Sequence, residues 1–325
     1  MTENLLEVNN LKTYFFTRGG VVKAVDDVTF VMKQGETLGV VGESGCGKSV
    51  TALSVMRLVA NPPGKIVGGE INFNGDNILE KSMDELTDLR GSKISMIFQD
   101  PMTSLNPVFT VGYQIAETVK RHRKDISNDQ AWKRSVEMLD LVRIPDPKRR
   151  AKNYPHEFSG GMRQRVMIAI ALACNPQLLI ADEPTTALDV TIQAQVLELM
   201  KGLSQEFGTA VMLITHDLGV VAGTCQHVNV MYAGHVVESA PVKQIFETPA
   251  HPYTVGLLQS IPRLNESRDA RLTPIAGQPP DLTNPPAGCP YAPRCPKVQS
   301  RCRQERPELM PVGRGEQVAA CFYPN

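Results

Sequence analysis

The stretch Gly42-Glu43-Ser44-Gly45-Cys46-Gly47-Lys48-Ser49 decides how the rest of this chain is interpreted. The residues before it, TLGVV at positions 37–41, form a short apolar run that is typical of a buried strand. The residues after it, VTALSVMRLV at positions 50–59, have apolar side chains at helical spacing. We therefore predict a loop between a strand and a helix.

This loop has the pattern G-x-x-x-x-G-K-[ST], which is typical of phosphate-binding loops. Glycines let backbone N–H groups curve around an anion, and the helix that follows presents its positive end to that anion. A glycine-rich turn that matches by chance is the alternative, and the strand–loop–helix setting disfavours it. We predict that Lys48 contacts the β- and γ-phosphates, that the Ser49 hydroxyl ligates Mg²⁺, and that nucleotide binding involves Gly42, Glu43, Ser44, Gly45, Cys46, Gly47, Lys48, Ser49 and Val50.

Composition places the chain among globular proteins and limits its partners. Its 325 residues are enough for one large α/β domain and a smaller one. The 34 basic and 34 acidic residues give a formal net charge of zero, so no overall field attracts nucleic acid. No apolar run is long enough to span a bilayer, and the start MTENLLEVNN lacks the pattern of a signal peptide. We expect a cytosolic chain or one peripheral to a membrane.

A second candidate site follows the apolar run LLIA at residues 178–181. Asp182 and Glu183 come directly after it, at the carboxyl end of a predicted strand, where α/β folds bind ligands. Asp182 is placed to hold Mg²⁺ through water, and Glu183 to polarise an attacking water. A solvated acidic turn is the alternative for this motif alone, but a phosphate-binding loop in the same chain favours the catalytic interpretation.

Between these two sites, Ser159-Gly160-Gly161 precedes an apolar run of helical spacing at residues 166–174. Ser159 is a favourable N-cap, and the two glycines leave N–H groups open for a phosphate. By itself this signal is weak, because a capped helix needs no ligand.

Six motifs in one order resemble the ATPase subunits of ABC transporters. They are GESGCGKS, Gln99 in IFQD, SGGMRQR, LLIADEP, the turn Ala187-Leu188-Asp189, and His216 in LITHD. The resemblance implies that Gln99 contacts Mg²⁺ and the attacking water and responds to the membrane partner. It implies that Asp189 links the two nucleotide sites and that His216 contacts the γ-phosphate. Hydrolysis of ATP to ADP and phosphate is the activity implied.

The same resemblance implies a composite site. The family's signature, matched here by Ser159, Gly160, Gly161 and Gln164, caps the γ-phosphate of a nucleotide held by the opposite subunit. Each chain holds only one of each half, so two cassettes must face head to tail. We expect a heterodimer with a second homologous ATPase subunit, with a homodimer as the alternative for the isolated chain.

Upstream of the loop, residues 5–8 and 28–32 are predicted to be antiparallel strands, with a turn at Arg18-Gly19-Gly20. The aromatic run Tyr14-Phe15-Phe16 lies in this segment. One ring could stack on adenine, or all three could be ordinary strand aromatics in a core. Alignment with the family favours Phe15 for the adenine contact, with Tyr14 as the second candidate.

Residues between Gln99 and Ser159 are mostly helical in pattern and resemble the subdomain that docks on membrane-embedded partners. The cluster KRHRK at residues 120–124 is better interpreted as a solvated helix end than as a nucleic-acid patch.

Beyond residue 240 the chain is rich in proline and has few regular patterns, so we predict irregular structure there. The motifs HPYT (251–254), GQPP (277–280) and GCPYAPRCP (288–296) resemble the C-terminal extension of dipeptide and oligopeptide importer ATPases. That implies peptide uptake, with nickel or opine uptake as close relatives. It also implies two transmembrane permease subunits, an extracytoplasmic solute-binding protein and a place at the cytoplasmic face of the membrane.

Seven cysteines fall into two groups. Cys46, Cys174 and Cys225 are scattered and are interpreted as small buried residues. The other four have the spacing C-x5-C-x6-C-x18-C, which lacks the C-x2-C pairs of common zinc sites, and disulfides are disfavoured in a reducing cytosol. The family resemblance implies a [4Fe–4S] cluster, with zinc as the lesser alternative, on Cys289, Cys295, Cys302 and Cys321.

The sequence disfavours two other classes of function. A soluble ABC-type ATPase that acts on nucleic acid or ribosomes would carry a coiled-coil insertion or two cassettes with a basic linker, and this sequence has neither. A binding module without catalysis would have lost Glu183 or His216, and both are present.

The expected fold class is α/β. It is an ABC-type P-loop ATPase with a RecA-like core, an antiparallel β subdomain and a helical subdomain, followed by a small irregular cysteine-containing C-terminal domain. The expected bounds are 1–240 for the nucleotide-binding domain, with the helical subdomain at about 101–160, and 241–325 for the extension.

Overall fold

The computed structural model describes residues 4–100, 104–186, 188–260, 274–313 and 315–325. Residues 101–103, at the start of the predicted helical subdomain, and Ala187, in one of the six motifs, lie outside the described residues. The described strands are β1 Asn4–Thr17, β2 Gly20–Lys33, β3 Thr37–Val41, β4 Gly64–Phe73, β5 Asp76–Asn77, β6 Ile94–Ile97, β7 Leu178–Asp182, β8 Ala210–Thr215, β9 His227–Tyr232, β10 His235–Pro241, β11 Met310–Pro311 and β12 Val318–Ala319. The described helices are α1 Lys48–Val55, α2 Met83–Leu89, α3 Val111–His122, α4 Asn128–Leu141, α5 Pro147–Arg150, α6 Gly160–Leu172, α7 Val190–Phe207, α8 Leu218–Thr224, α9 Val242–Glu247, α10 Pro252–Gln259 and α11 Ser300–Gln304.

The chain forms two compact units. Among the described residues, the first unit contains 33–36, 80–100, 104–186 and 188–213, and the second contains 4–32, 37–79, 214–260, 274–313 and 315–325. Each unit is therefore built from separate stretches of the chain.

In the first unit, strand β6 pairs in parallel with β7. All five residues of β7 are buried, as expected for a parallel strand covered on both faces. Helices α3, α4 and α6 pack on one another and supply most of the helical part. The basic end of α3, predicted as a solvated helix end, is exposed at Lys120 and Arg121, where cations also complement the helix C-terminus.

The second unit contains an antiparallel sheet of strand order β2-β1-β4-β5. Along β2, Val28, Phe30 and Met32 are buried whereas Thr29 and Val31 are exposed, the alternation of a sheet with one solvated face. Both predicted strands are longer in the structure, because pairing of β1 with β4 continues through the polar residues that follow the apolar run. The predicted turn is confirmed at Arg18 and Gly19.

A second sheet in this unit has the strand order β11-β12-β10-β9-β3. Strand β3 pairs in parallel with β9, whereas β9, β10, β12 and β11 pair in antiparallel fashion. The last strands come from the proline-rich tail, so part of that tail is regular and extends the sheet. The rest of the tail consists of short helices and irregular segments, as predicted.

Candidate functional site

The phosphate-binding loop lies between β3 and α1 in the second unit, as predicted. Gly47 has a φ of 106°, and a Cβ there would lie 2.3 Å from the carbonyl oxygen of Ala24. At Gly42, with a φ of 153°, a Cβ would lie 2.2 Å from the carbonyl oxygen of Met231. Only glycine satisfies both the backbone conformation and the close approach at these two positions.

Lys48 begins helix α1 and is buried within the loop. Its Nζ donates to the carbonyl oxygens of Gly42 at 2.8 Å and of Glu43 at 3.0 Å. Gly47 caps this helix without a side chain, so no side-chain oxygen competes for the N–H groups of the first turn. Burial raises the pKa of the neighbouring Cys46 thiol, consistent with a packed rather than a reactive cysteine.

The first unit brings Gln99 and Glu183 together. The Glu183 Oε2 atom accepts hydrogen bonds from Gln99 Nε2 at 3.1 Å and from Thr186 Oγ1 at 3.0 Å. Glu183 has a φ of 45°, in the left-handed region that a glutamate seldom adopts. Such strain is characteristic of functional sites. Asp182, the last residue of β7, is buried at 6% exposure.

The signature residues also lie in the first unit. Ser159 is the N-cap of α6 as predicted, and its Oγ accepts from the Met162 N–H at 3.3 Å. A cavity of about 510 Å³ is lined by Ser159, Gly160, Gly161, Arg165, Leu188 and Asp189 among others. The structure thus places the predicted signature beside Asp189, which caps α7 through a 3.0 Å hydrogen bond from the Ile192 N–H. Gln164 differs from these residues because it is buried at 2% exposure, which does not favour direct contact with a ligand.

His216 and Ser49 lie in the second unit with the phosphate-binding loop, whereas Gln99, Asp182, Glu183 and the signature lie in the first. His216 is exposed directly after β8. Asp217, next to it, accepts from the N–H groups of Gly219 at 2.8 Å and Val220 at 3.3 Å and so caps α8.

The aromatic candidates near the end of β1 have different surroundings. The Tyr14 hydroxyl donates to Asp26 Oδ1 at 2.7 Å, and burial, with this hydrogen bond, raises the pKa of Tyr14 to about 12. Phe15 is half-buried, and Phe16 is 53% exposed. A ring without a polar group to satisfy, such as Phe15, is the freer of the two candidates for stacking.

The four tail cysteines line one small cavity, together with His251 and Tyr291 among others. None of the four is joined in a disulfide. Burial raises the pKa of Cys289 to about 11, and the nearby Cys295, Cys302 and Cys321 contribute to that rise. Within the described part of the chain, no three His, Cys, Asp or Glu side chains are grouped so as to hold a metal ion.

Two residues without a role predicted from the sequence contact the phosphate-binding loop. Arg294 forms an ion pair with the Glu43 carboxylate, at 2.6 Å between Nη1 and Oε2. The Tyr253 hydroxyl accepts from the Glu43 N–H at 2.9 Å. Both lie inside motifs of the tail, GCPYAPRCP and HPYT, and a charged arginine between two Cys-Pro pairs was the only signal available.

No helix among the described residues has the length and apolar character needed to cross a membrane.

Comparison with protein families gives two matches along the chain. The family model described as ABC transporter matches residues 25–186. The model described as the C-terminal region of oligopeptide/dipeptide transporters matches residues 237–302. The first match covers the motifs from GESGCGKS to LLIADEP, and the second falls on the proline-rich tail.

Curated relatives are similar over nearly the whole length. A probable peptide ABC transporter ATP-binding protein of Sinorhizobium fredii, y4tR, is 56% identical over 99% of this chain and 95% of its own length. The oligopeptide transport ATP-binding protein OppD of Salmonella typhimurium is 54% identical over 98% of this chain and 94% of its own. The dipeptide transport ATP-binding protein DppD of Bacillus subtilis is 54% identical over 94% and 90%.

Solved structures are similar over about three quarters of this chain. The dimeric post-hydrolysis state of the ATP-binding cassette MJ0796 bound to ADP and Pi has a TM-score of 0.65 and 29% identity, and covers 73% of this chain and 98% of that chain. CbiO1 of Clostridium perfringens, part of the transporter complex cbiONQ, has a TM-score of 0.65 and 27% identity, with coverage of 76% and 92%. The predicted α/β fold class is confirmed.

Proposed function

The chain belongs to the family of ABC transporter ATP-binding subunits, and we propose that it hydrolyses ATP to drive the uptake of di- and oligopeptides through a membrane importer. The curated relatives that it resembles at 51–56% identity are peptide transport proteins. The tail match to the oligopeptide/dipeptide region supports the same substrate class. Nickel or opine uptake is the alternative within the family.

The observation that carries the catalytic proposal is the contact between Gln99 and Glu183. Glu183 polarises the attacking water, because its carboxylate lies at the carboxyl end of β7 and is oriented by Gln99 and Thr186. Lys48 places its ammonium group among the loop carbonyls and binds the phosphates. His216 contacts the γ-phosphate.

Magnesium fits the donor set available in these motifs. Ser49, Gln99 and Asp182 supply a hydroxyl, an amide and a carboxylate oxygen, which are the hard oxygen ligands that Mg²⁺ prefers. When bound, the ion neutralises charge on the β- and γ-phosphates.

The loop from Gly42 to Val50 holds the phosphates, and Phe15 stacks on the adenine ring, with Tyr14 as the alternative. The Tyr14 hydroxyl is engaged with Asp26, which supports this order. We assign residues 1–240 to the nucleotide-binding domain, with a helical subdomain at about 101–160, and 241–325 to the extension.

The working unit is a pair of cassettes. Ser159, Gly160 and Gly161 line a cavity with Asp189 and cap the nucleotide of the facing subunit, and Gln164 belongs to the same signature, where its side chain is buried in the helix. The partner is a second homologous ATPase subunit in the cell. Purified Glu183→Gln protein with ATP and this partner should elute as a dimer, and a monomer under those conditions contradicts the composite site.

The four tail cysteines are the proposed ligands of a [4Fe–4S] cluster. The proposal is supported by their common cavity and by the soft sulfur donors that they offer, although no three of them are grouped as metal ligands in the described geometry. A zinc ion is the alternative. The group would have a structural or regulatory role, because a small segment with little apolar core gains folding free energy from metal ligation.

Within the importer, the chain would lie at the cytoplasmic face of the membrane, with two permease subunits and an extracytoplasmic solute-binding protein. The test is purification from membranes with identification of the associated proteins, followed by ATPase assays of the reconstituted complex with peptide-loaded binding protein. Peptide-stimulated hydrolysis is expected. Recovery of the chain with ribosomes or DNA instead would favour the soluble ATPase alternative.

A further inference from the structure

Glu43, in the phosphate-binding loop, is held by a residue far along the chain. Arg294 Nη1 donates to Glu43 Oε2 at 2.6 Å, and Arg294 Nη2 donates to Glu43 Oε1 at 3.0 Å. The two parallel hydrogen bonds form a bidentate pair, the strongest geometry available to an arginine and a carboxylate. The Arg294 side chain is 4% exposed and the Glu43 side chain 27% exposed, so solvent screens this pair far less than a surface ion pair.

The other contacts of the Arg294 guanidinium fix its orientation. Nε donates to the Ala276 carbonyl oxygen at 3.0 Å, and Nη2 also donates to the Ile275 carbonyl oxygen at 3.3 Å. Nη1 donates to the Tyr232 hydroxyl at 3.3 Å. Arg294 is thus presented to Glu43 in one orientation, without the loss of side-chain freedom that a mobile surface arginine would incur on pairing.

The main chain of Glu43 is held from the same region. Its N–H donates to the Tyr253 hydroxyl at 2.9 Å. Tyr253 is fully buried and packs against the rings of Tyr232, at 4.6 Å between centroids, and of Tyr291, at 5.4 Å. The hydroxyl that meets the loop is therefore positioned by a rigid aromatic cluster.

Glu43 in turn contacts the lysine of the loop. The Glu43 carbonyl oxygen accepts from Lys48 Nζ at 3.0 Å, so Arg294 and Tyr253 on one side and Lys48 on the other meet at one residue. We propose that Arg294 is a positioning residue for nucleotide binding, which with Tyr253 holds Glu43 so that the phosphate-binding loop and Lys48 are ordered before ATP arrives. This inference rests on the proposed function, and it assigns to the C-terminal extension a direct influence on ATP affinity.

The experiment compares ATP affinity, KM and kcat among point variants of the full chain. Arg294→Gln and Glu43→Gln should each weaken ATP binding about tenfold and raise KM with little change in kcat, because a disordered loop loses binding to ground state and transition state alike. The double variant should be no weaker than either single variant, since both remove one interaction. Tyr253→Phe should weaken binding by a smaller factor.

Two further variants distinguish positioning from a general structural role. Arg301 forms an exposed ion pair with Glu305 in the same extension, at 2.9 Å, so Arg301→Gln is a matched control that should leave ATP binding unchanged. Arg294→Lys keeps the charge without the bidentate geometry and should be intermediate.

If Arg294→Gln lowers the melting temperature while the ATP dissociation constant and KM stay at their wild-type values, Arg294 is only a structural staple and the inference is wrong. Additive effects in the double variant would also contradict it. A wild-type chain that neither binds nor hydrolyses ATP would instead overturn the proposed function itself, so the two failures are distinguishable.

Discussion

The side-chain amide of Gln99 donates through Nε2 to Oε2 of Glu183 over 3.1 Å. Glu183 holds a left-handed backbone conformation at the end of β7, and Thr186 donates to the same oxygen atom. One oxygen of the carboxylate is therefore occupied by two donors.

Replacing this carboxylate should separate binding from turnover. Glu183→Gln should keep ATP binding while it lowers turnover at least about a hundredfold, because the water loses its polarising carboxylate and the phosphate-binding loop is unchanged. Steady-state ATPase assays and binding of a fluorescent ATP analogue measure the two effects. Glu198→Gln, at an exposed position of α7, is the control and should behave as the wild type. Near-normal turnover of Glu183→Gln would remove Glu183 from its proposed role.

Lys48→Ala should weaken ATP binding, the property that Glu183→Gln should leave unchanged. Without its ammonium group the loop loses a charge-assisted donor to the phosphates, and the carbonyl oxygens of Gly42 and Glu43 lose a buried partner. We expect the affinity for ATP to fall by about tenfold or more, as measured by titration with the fluorescent analogue. Lys243→Ala, which changes an exposed lysine of α9, should leave affinity unaltered. Wild-type affinity in Lys48→Ala would contradict the phosphate contact.

The cysteine cavity is tested by metal analysis. Anaerobically purified protein should be brown and contain about four iron atoms per chain. Cys302→Ser should lose the colour and the iron while it retains most of its ATP binding. Cys174→Ser changes a cysteine outside the cavity and should keep both the colour and the iron. Colourless wild-type protein with one bound zinc would reverse the assignment of the metal.

Glu238 should prove essential to the stability of the second unit. Its fully buried carboxylate accepts hydrogen bonds from the backbone N–H groups of Ala250 and His251 and from Gln317 Nε2, each at 2.8 Å. Glu238→Gln places an amide donor against these donors and should cost about 2–4 kcal/mol of unfolding free energy. Gln317→Ala removes one donor and should cost less. Chemical denaturation measures both, and an unchanged midpoint for Glu238→Gln would show that the network contributes little.

His235 should make the protein sensitive to acid. Burial lowers the pKa of His235 to about 4 from its ordinary 6.5, and the charge of Arg306 adds to this effect while Asp26 and Asp27 oppose it. As the pH falls, the unfolded chain binds the proton before the folded chain does. The contribution of neutral His235 to the free energy of unfolding should therefore be fully present above pH 6.5 and should be lost as the pH decreases toward 4. The loss reaches about 3 kcal/mol and then levels off. Denaturation curves recorded between pH 7 and 4 should show that the free energy of unfolding declines less with decreasing pH in His235→Gln than in the wild type. An equal decline in both proteins would contradict the lowered pKa of His235.

Local patterns were sufficient for the features that depend on neighbouring residues. The strand, loop and helix around Lys48 follow from an apolar run, three glycines and helical spacing within about 20 residues. Ser159 as an N-cap was predicted for the same reason, since capping is a contact between residues three apart. The predicted strands were too short because a ladder can continue through polar residues when a partner strand is present, as β4 is for β1.

The sequence by itself therefore determined the fold class, the family and the positions of the nucleotide motifs, because those are encoded in short spacings and in their order. Only the tertiary structure decided what Glu43 contacts. Arg294 lies 251 residues away and Tyr253 lies 210 residues away, and no periodicity or motif relates positions so far apart. Such a pair becomes visible only when packing of the extension places a buried guanidinium within hydrogen-bond distance of a loop carboxylate. The left-handed conformation of Glu183 is of the same kind, since surrounding contacts rather than residue preference maintain it.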